Sequence, residues 1–83
     1  MIKRVEVLTF NSTDATMTAT KTDLIGYALV GYAVNQDKFS YVASHYITDV
    51  YLDNSTGEVT VTRTGAGVYS GAKFWVYAVK VPS

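Results

Sequence analysis

The stretch VYLDNSTGEVTVTRT, residues 50–64, carries the clearest local pattern in the chain. Two runs rich in β-branched and aromatic residues flank the polar cluster DNSTGE. After the cluster, valine alternates with hydroxyl-bearing residues, so that Val59 and Val61 fall on one face of a strand. Asp53 can accept a bond from a backbone amide in the turn, and Gly57 can supply the positive φ that closes a short loop. The stretch therefore predicts a β-hairpin.

The same polar cluster raises the alternative of a calcium loop. A loop of the EF-hand type needs oxygen ligands at positions 1, 3 and 5, glycine at position 6 and glutamate at position 12. Asp53 and Ser55 fit the first two positions, but Gly57 occupies position 5 and Thr64 occupies position 12. The chain also has one histidine and no cysteine, so the usual zinc ligand sets cannot be assembled. We expect no metal and no cofactor.

The rest of the chain continues the β pattern, because Val, Thr, Tyr and Ile recur and suit a pleated surface. Residues 23–34 fit either a strand or a helix. Gly26 and Gly31, which destabilise a helix, and the β-forming residues of this segment favour a strand. Residues 39–44 fit either a strand or a short helix. The remaining expected strands are 2–10, 15–21, 45–53, 58–64 and 73–81, and we expect 15–21 to be an edge strand or a weakly held strand. We predict one all-β domain over residues 1–83, an antiparallel sandwich or small barrel of about six to seven strands.

Charge and hydropathy exclude several classes of function. The 83 residues carry seven basic and seven acidic side chains, so the net charge is zero. A protein that binds nucleic acid needs a surplus of basic residues to displace the counterions of the phosphates. We therefore expect this protein not to bind nucleic acid. The chain has no apolar run of the roughly 20 residues that a membrane helix requires, and its charged beginning, MIKRVE, does not resemble a signal peptide. We expect a location in the cytoplasm or in a virion, without membrane association.

No arrangement of residues predicts catalysis. Ser44, His45 and Asp49 include the residue types of a hydrolase triad, but adjacent residues of a strand point to opposite faces, so Ser44 cannot reach His45. The glycine-rich stretch at residues 65–73 lacks the spacing of both the phosphate loop and the dinucleotide fingerprint. We predict that the protein is not an enzyme and has no catalytic residues.

Aromatic residues are enriched, with seven tyrosines and Trp75 in a short chain. Exposed aromatic rings can stack on sugars, so Tyr51, Tyr69 and Trp75 are candidate ligand-binding residues of a carbohydrate-binding module. The other interpretation is that the aromatic residues reflect β-propensity and fill the core.

Two predicted strands, DLIGYALVGYAV at residues 23–34 and KFWVYAVKV at residues 73–81, are apolar on both faces. In KFWVYAVKV, residues 73–81, alternation puts two sets of apolar residues on opposite faces. One face carries Trp75, Tyr77, Val79 and Val81, and the other carries Phe74, Val76 and Ala78. A two-layer sandwich covers only the inner face of each strand, so part of this surface needs a partner. We expect Trp75 in the core and an interface formed by Val30, Tyr32, Phe74 and Val76. The alternative is a small closed barrel with an outer layer of tyrosines.

The segment VYLDNSTGEVTVTRTG followed by GAKFWVYAVKV resembles small all-β modules of phage and other viral particles, namely decoration proteins and fibre or tail-tip domains. The resemblance covers residues 45–81 and carries no catalytic position. It implies homo-oligomers and attachment to a larger particle. The sequence therefore predicts a non-enzymatic structural protein that self-associates or joins a larger protein assembly, with glycan binding as the alternative.

Overall fold

A computed structural model, which describes residues 1–34, 47–65 and 71–82, confirms the all-β prediction. The element between the second and third strands is one turn of 3₁₀ helix at Thr22–Leu24. The strands are β1 (Ile2–Thr9), β2 (Thr16–Thr20), β3 (Tyr27–Val34), β4 (Ile47–Asp53), β5 (Glu58–Arg63) and β6 (Lys73–Lys80).

The strands form two antiparallel sheets of three strands each, which pack as a sandwich. The first sheet has the order β1-β6-β3 and the second has the order β2-β5-β4. The central strands, β6 and β5, therefore lie in different sheets, and the two strands of the sequence-predicted hairpin are neighbours in the second sheet. The expected edge position of the 15–21 segment is confirmed, because β2 pairs only with β5.

The β4–β5 turn has the hairpin geometry that its sequence predicts. The Gly57 amide donates to the Asp53 carbonyl oxygen at 2.8 Å, and the Ser55 amide donates to Asp53 Oδ1 at 2.9 Å. Gly57 has a φ of +83°, a conformation that L-residues rarely adopt. One oxygen of the Asp53 carboxylate thus binds the turn itself, as the hairpin interpretation requires.

The segment 23–34 is partly a strand and partly a turn. The strand prediction is confirmed from Tyr27 onward, whereas Thr22–Leu24 forms the 3₁₀ turn and Gly26 has a φ of +85°. Leu24 is fully buried and explains why the chain turns there, because the turn inserts this side chain into the core. The predictions for residues 35–46 and 66–70, including the open choice at 39–44, lie outside the described residues.

One hydrophobic core lies between the sheets. Strands β5 and β6 contribute alternate residues to it, and β1 and the flanking turns close it. Its buried members are Val7, Phe10, Leu24, Val34, Val59, Val61, Ala72, Phe74, Val76 and Ala78. The predicted inward orientation of Val59 and Val61 is confirmed.

The orientation predicted for β6 is wrong. Phe74 and Val76 are fully buried in the core of this chain, so they cannot form a contact surface with a partner. Trp75, expected in the core, lies on the opposite, outward face and is only half-buried. The physical reason is that Trp and Tyr carry a polar group at one end of the ring and tolerate partial exposure, whereas Phe, Val and Ala do not require contact with water.

The core also contains a charged side chain, Arg63, which is 2% exposed. Its Nε donates to the Asp14 carbonyl oxygen at 2.9 Å, and its Nη2 donates to the Asn11 carbonyl oxygen at 2.6 Å. The guanidinium lies 4.6 Å from the centre of the Phe10 ring. Arg63 therefore fastens the β1–β2 turn to the second sheet with directed bonds to two backbone carbonyls.

Candidate functional site

The outer face of the first sheet is the most distinctive surface of the described chain. On its central strand, Trp75, Tyr77 and Val79 point outward and keep part of their surface open to solvent. Their neighbours on β3 are small, since Trp75 pairs with Ala33, Tyr77 with Gly31 and Val79 with Ala28. We call this surface the aromatic face, comprising Ala28, Gly31, Ala33, Trp75, Tyr77 and Val79.

A β-bulge in β3 creates this row of small residues. The pairing register with β6 shifts between Leu29 and Gly31, which leaves Val30 between them. Before the bulge, Leu29 lies on the core side. After it, Tyr32 and Val34 lie on the core side, although simple alternation places them opposite Leu29. The bulge therefore removes a large tyrosine from the outer face and leaves glycine and alanine there.

The small residues leave the aromatic rings accessible from the side. A Cβ built at Gly31 would lie 3.8 Å from Cδ2 of Tyr77, so the Tyr77 ring borders the strand at the glycine. This cross-strand pairing of an aromatic ring with a glycine is a known way of shielding the glycine backbone. The small residues of β3 therefore form a shallow depression beside a ridge of larger side chains on β6.

Charged residues of β1 border the other side of the ridge. The Arg4 guanidinium carbon lies 4.0 Å from the centre of the Trp75 ring, within the range of a cation–π contact. Lys73 Nζ lies 3.8 Å from Glu6 Oε1, and both side chains are about half exposed. The outer surface of the first sheet is thus apolar along β6 and β3, and along β1 it carries Arg4 and Glu6 beside the apolar Ile2.

The predicted interface residues do not form one surface. Val30 is 55% exposed, but it sits in the bulge of the edge strand. Tyr32 is 38% exposed, and its ring stacks on the buried Phe74 ring with centroids 5.7 Å apart. Together with the burial of Phe74 and Val76, this arrangement corrects the predicted interface, because three of its four members belong to the inner side of the first sheet.

The candidate ligand-binding aromatics are also separated. Trp75 points outward from the first sheet, and Tyr51, which pairs with Thr60, points outward from the second. The two rings therefore lie on opposite outer faces of the sandwich and cannot contact one ligand. Tyr69 lies outside the described residues. Tyr51 itself is 59% exposed.

Tyr51 has polar neighbours on its own face. Asp49 and Asp53 lie two residues to either side of it on β4, and Thr60 lies directly across on β5. The outer face of the second sheet is therefore rich in hydroxyls and carboxylates, in contrast to the aromatic face.

Sequence reasoning grouped Trp75, Tyr77 and Val79 on one face of β6, and this grouping is confirmed by the pairing register. It did not single out Tyr77, Val79 or the small residues of β3 as a site. The available signal was the polar end of each Trp and Tyr ring, which favours the outward face. The register shift in β3 has no comparable signal in the sequence.

No three His, Cys, Asp or Glu side chains within residues 1–34, 47–65 and 71–82 lie close enough to hold a metal ion. No helix in the same ranges is long and apolar enough to span a membrane. No protein-family model matches the chain, and no curated protein or solved structure is found to be similar to it.

Proposed function

We propose that the protein is a non-enzymatic structural module that assembles, with copies of itself or with a larger protein particle, through its aromatic face. The observation that carries the proposal is the outward row of Trp75, Tyr77 and Val79 on the central strand of the first sheet. The outer face of a two-layer sandwich is ordinarily polar, as it is on the second sheet. Tyr and Trp are enriched in the buried centres of protein–protein interfaces.

The dimensions of the aromatic face favour a contact that is repeated in an assembly. A strand of eight residues is about 26 Å long, and three strands span roughly 10–15 Å, which gives a planar area of roughly 300–400 Å². A standard interface buries about 800 Å² on each partner. The aromatic face alone therefore supports a weak pairwise contact, and multiple simultaneous contacts in an ordered particle would strengthen it.

The finer role follows from the resemblance of residues 45–81 to modules of viral particles. It makes this protein a virion component, either a capsid decoration protein or a part of a tail or fibre, present in the virion or in the cytoplasm before assembly. Partners in this role are proteins, without nucleic acid or membrane. The small size and absence of cysteine fit a domain that gains stability from neighbouring subunits.

The test compares two lysine substitutions in sedimentation velocity across the micromolar range. Val79→Lys places a charge on the central strand of the aromatic face, whereas Thr60→Lys places one on the outer face of β5, the central strand of the second sheet. We expect the wild type and Thr60→Lys to sediment as oligomers and Val79→Lys to sediment as a monomer. Circular dichroism verifies that both variants are folded.

Two results would overturn self-association through the aromatic face. One is a wild-type protein that stays monomeric at every concentration. The other is a folded Val79→Lys variant with the same oligomeric mass as the wild type, which would locate the contact elsewhere.

The surroundings of Tyr51 favour a second candidate function, carbohydrate binding. An exposed ring that lies between two carboxylates and opposite a hydroxyl offers one stacking surface and several hydrogen-bond acceptors to a sugar. A glycan array tests this candidate. Binding that is lost in Tyr51→Ala and retained in Val79→Lys would support it, and an array without a signal would exclude it for the glycans displayed.

A further inference from the structure

We propose that a cavity at one end of the sandwich binds a small organic anion with an apolar body, such as a medium-chain carboxylate. The cavity has a volume of about 450 Å³ and is lined by Met1, Ile2, Lys3, Tyr27 and Lys80. This volume falls in the usual range of small-molecule sites. The cavity residues are not members of the aromatic face, and Ile2 lies next to that face as the pairing partner of Val79.

The antiparallel register brings the two lysines to the same end of the first sheet. Strands β1 and β3 begin where β6 ends, so that Lys3 pairs with Ala78 and Tyr27 pairs with Lys80. Lys3 and Lys80 are separated by most of the sequence, and the pairing of β1 with β6 brings both to the wall of this cavity. The cavity therefore has a cation on each of two adjacent strands.

Lys3 is held in place by neutral groups. Its Nζ donates to the Asp23 carbonyl oxygen at 3.0 Å and lies 4.7 Å from the centre of the Tyr27 ring. A carbonyl dipole and an aromatic ring orient an ammonium group without cancelling its charge. An ammonium group has three N–H donors, so Lys3 can bind an anion while keeping its bond to the carbonyl.

Apolar side chains border the two cations. Ile2 is 60% exposed, and it lines the cavity together with Tyr27. Ile25 and Val81, both exposed, extend apolar surface at the same end, because the Val81 amide donates to the Gly26 carbonyl oxygen at 2.8 Å. A ligand with one anionic group and a hydrocarbon or aromatic body matches both parts of this site. A neutral sugar matches neither the charge nor the apolar wall.

The experiment titrates the protein with decanoate, kept below its micellar concentration, and follows backbone amide shifts by NMR. Decanol is the neutral probe with the same chain, and butyrate is the anionic probe without a long chain. We expect decanoate to shift amides of β1, β3 and β6 around the cavity and to bind at least tenfold more tightly than either control. Binding should weaken with added salt, because the charged groups are accessible to solvent.

Lysine variants separate the site from nonspecific attraction. We expect Lys3→Gln/Lys80→Gln to lose at least tenfold in decanoate affinity and to leave the response to decanol unchanged. The matched control is Lys73→Gln, which removes a charge at the opposite end of β6 and should bind decanoate like the wild type. Thermal unfolding verifies that the variants are folded, and Lys3→Arg/Lys80→Arg, which keeps both charges, should retain binding.

Several outcomes would overturn the proposal. These are shifts scattered over the surface, equal affinity for decanoate and decanol, or decanoate binding that survives in the double glutamine variant. Loss of binding in the Lys73→Gln control would indicate general charge attraction and would overturn it as well. None of these outcomes depends on the oligomeric state, so failure here is distinguishable from failure of the assembly proposal.

Discussion

Replacement of Gly57 by alanine should be among the most damaging single-methyl changes in this protein. Gly57 is buried in the β4–β5 turn, where a Cβ would collide with the Lys21 carbonyl oxygen and lie 2.7 Å from the Lys21 carbonyl carbon. The same two residues are joined by a bond from the Lys21 amide to the Gly57 carbonyl oxygen at 2.8 Å. The methyl group would therefore clash with the backbone of Lys21, the same residue whose amide already donates a hydrogen bond to Gly57.

The magnitude has three parts. An L-residue at a φ of +83° costs about 1–2 kcal/mol. Moving the backbone away from the new methyl group costs about 1–3 kcal/mol, as in other overpacked sites. Weakening the bond between Lys21 and Gly57 costs about 1 kcal/mol. The total of about 3–6 kcal/mol is a large share of the roughly 4–12 kcal/mol expected for a domain of this length.

Gly26→Ala is the matched control. Gly26 has nearly the same positive φ, +85°, but a Cβ there meets nothing within 4 Å. It should therefore show only the conformational cost of about 1–2 kcal/mol. Urea unfolding at 25 °C, followed by far-UV circular dichroism, gives the free energy of unfolding of both variants and of the wild type. If Gly57→Ala is no less stable than Gly26→Ala, the close approach of the turn to Lys21 is refuted.

Three further substitutions test the core and the surface. Arg63→Lys should lower the free energy of unfolding by about 2–3 kcal/mol, because one ammonium group cannot reproduce the two directed bonds to the Asn11 and Asp14 carbonyls; accelerated amide exchange confined to the β1–β2 turn would support this, and unchanged exchange would contradict it. Val76→Glu should abolish cooperative unfolding rather than release monomers, because it buries an unpaired carboxylate in the core; a folded monomer in sedimentation and circular dichroism would instead restore Val76 as a contact residue. Glu6→Gln should change stability by less than about 1 kcal/mol, because its ion pair is half exposed; a larger change in urea unfolding that disappears at high salt would show that the pair contributes more than this.

Local sequence patterns identified most of the strands. The β4–β5 hairpin and the inward valines of β5 follow from alternation and from one glycine in a polar turn, which are interactions between residues close in the chain. The 3₁₀ turn before β3 was missed, because the apolar residues Leu24 and Ile25 continue the strand pattern. Its cause is tertiary, since Leu24 turns into a core built by distant strands.

The candidate sites depended more heavily on long-range structure. Alternation placed Trp75, Tyr77 and Val79 together, but it did not reveal that this set faces outward. The cavity with Lys3 and Lys80 had no sequence signal, because its cations come from opposite ends of the chain.

The amino-acid sequence by itself determined that this protein is built from β-strands and which residues share a face of most strands, because strand propensity and two-residue alternation are local properties. Only the tertiary structure decided which face of β6 is buried. Both faces of that strand are apolar, so alternation does not select one, and the polar ends of the Trp and Tyr rings favour an outward position without requiring it. The choice depends on the side chains that β1, β3 and the opposite sheet bring to the core, and on a bulge that reverses the orientation of Tyr32.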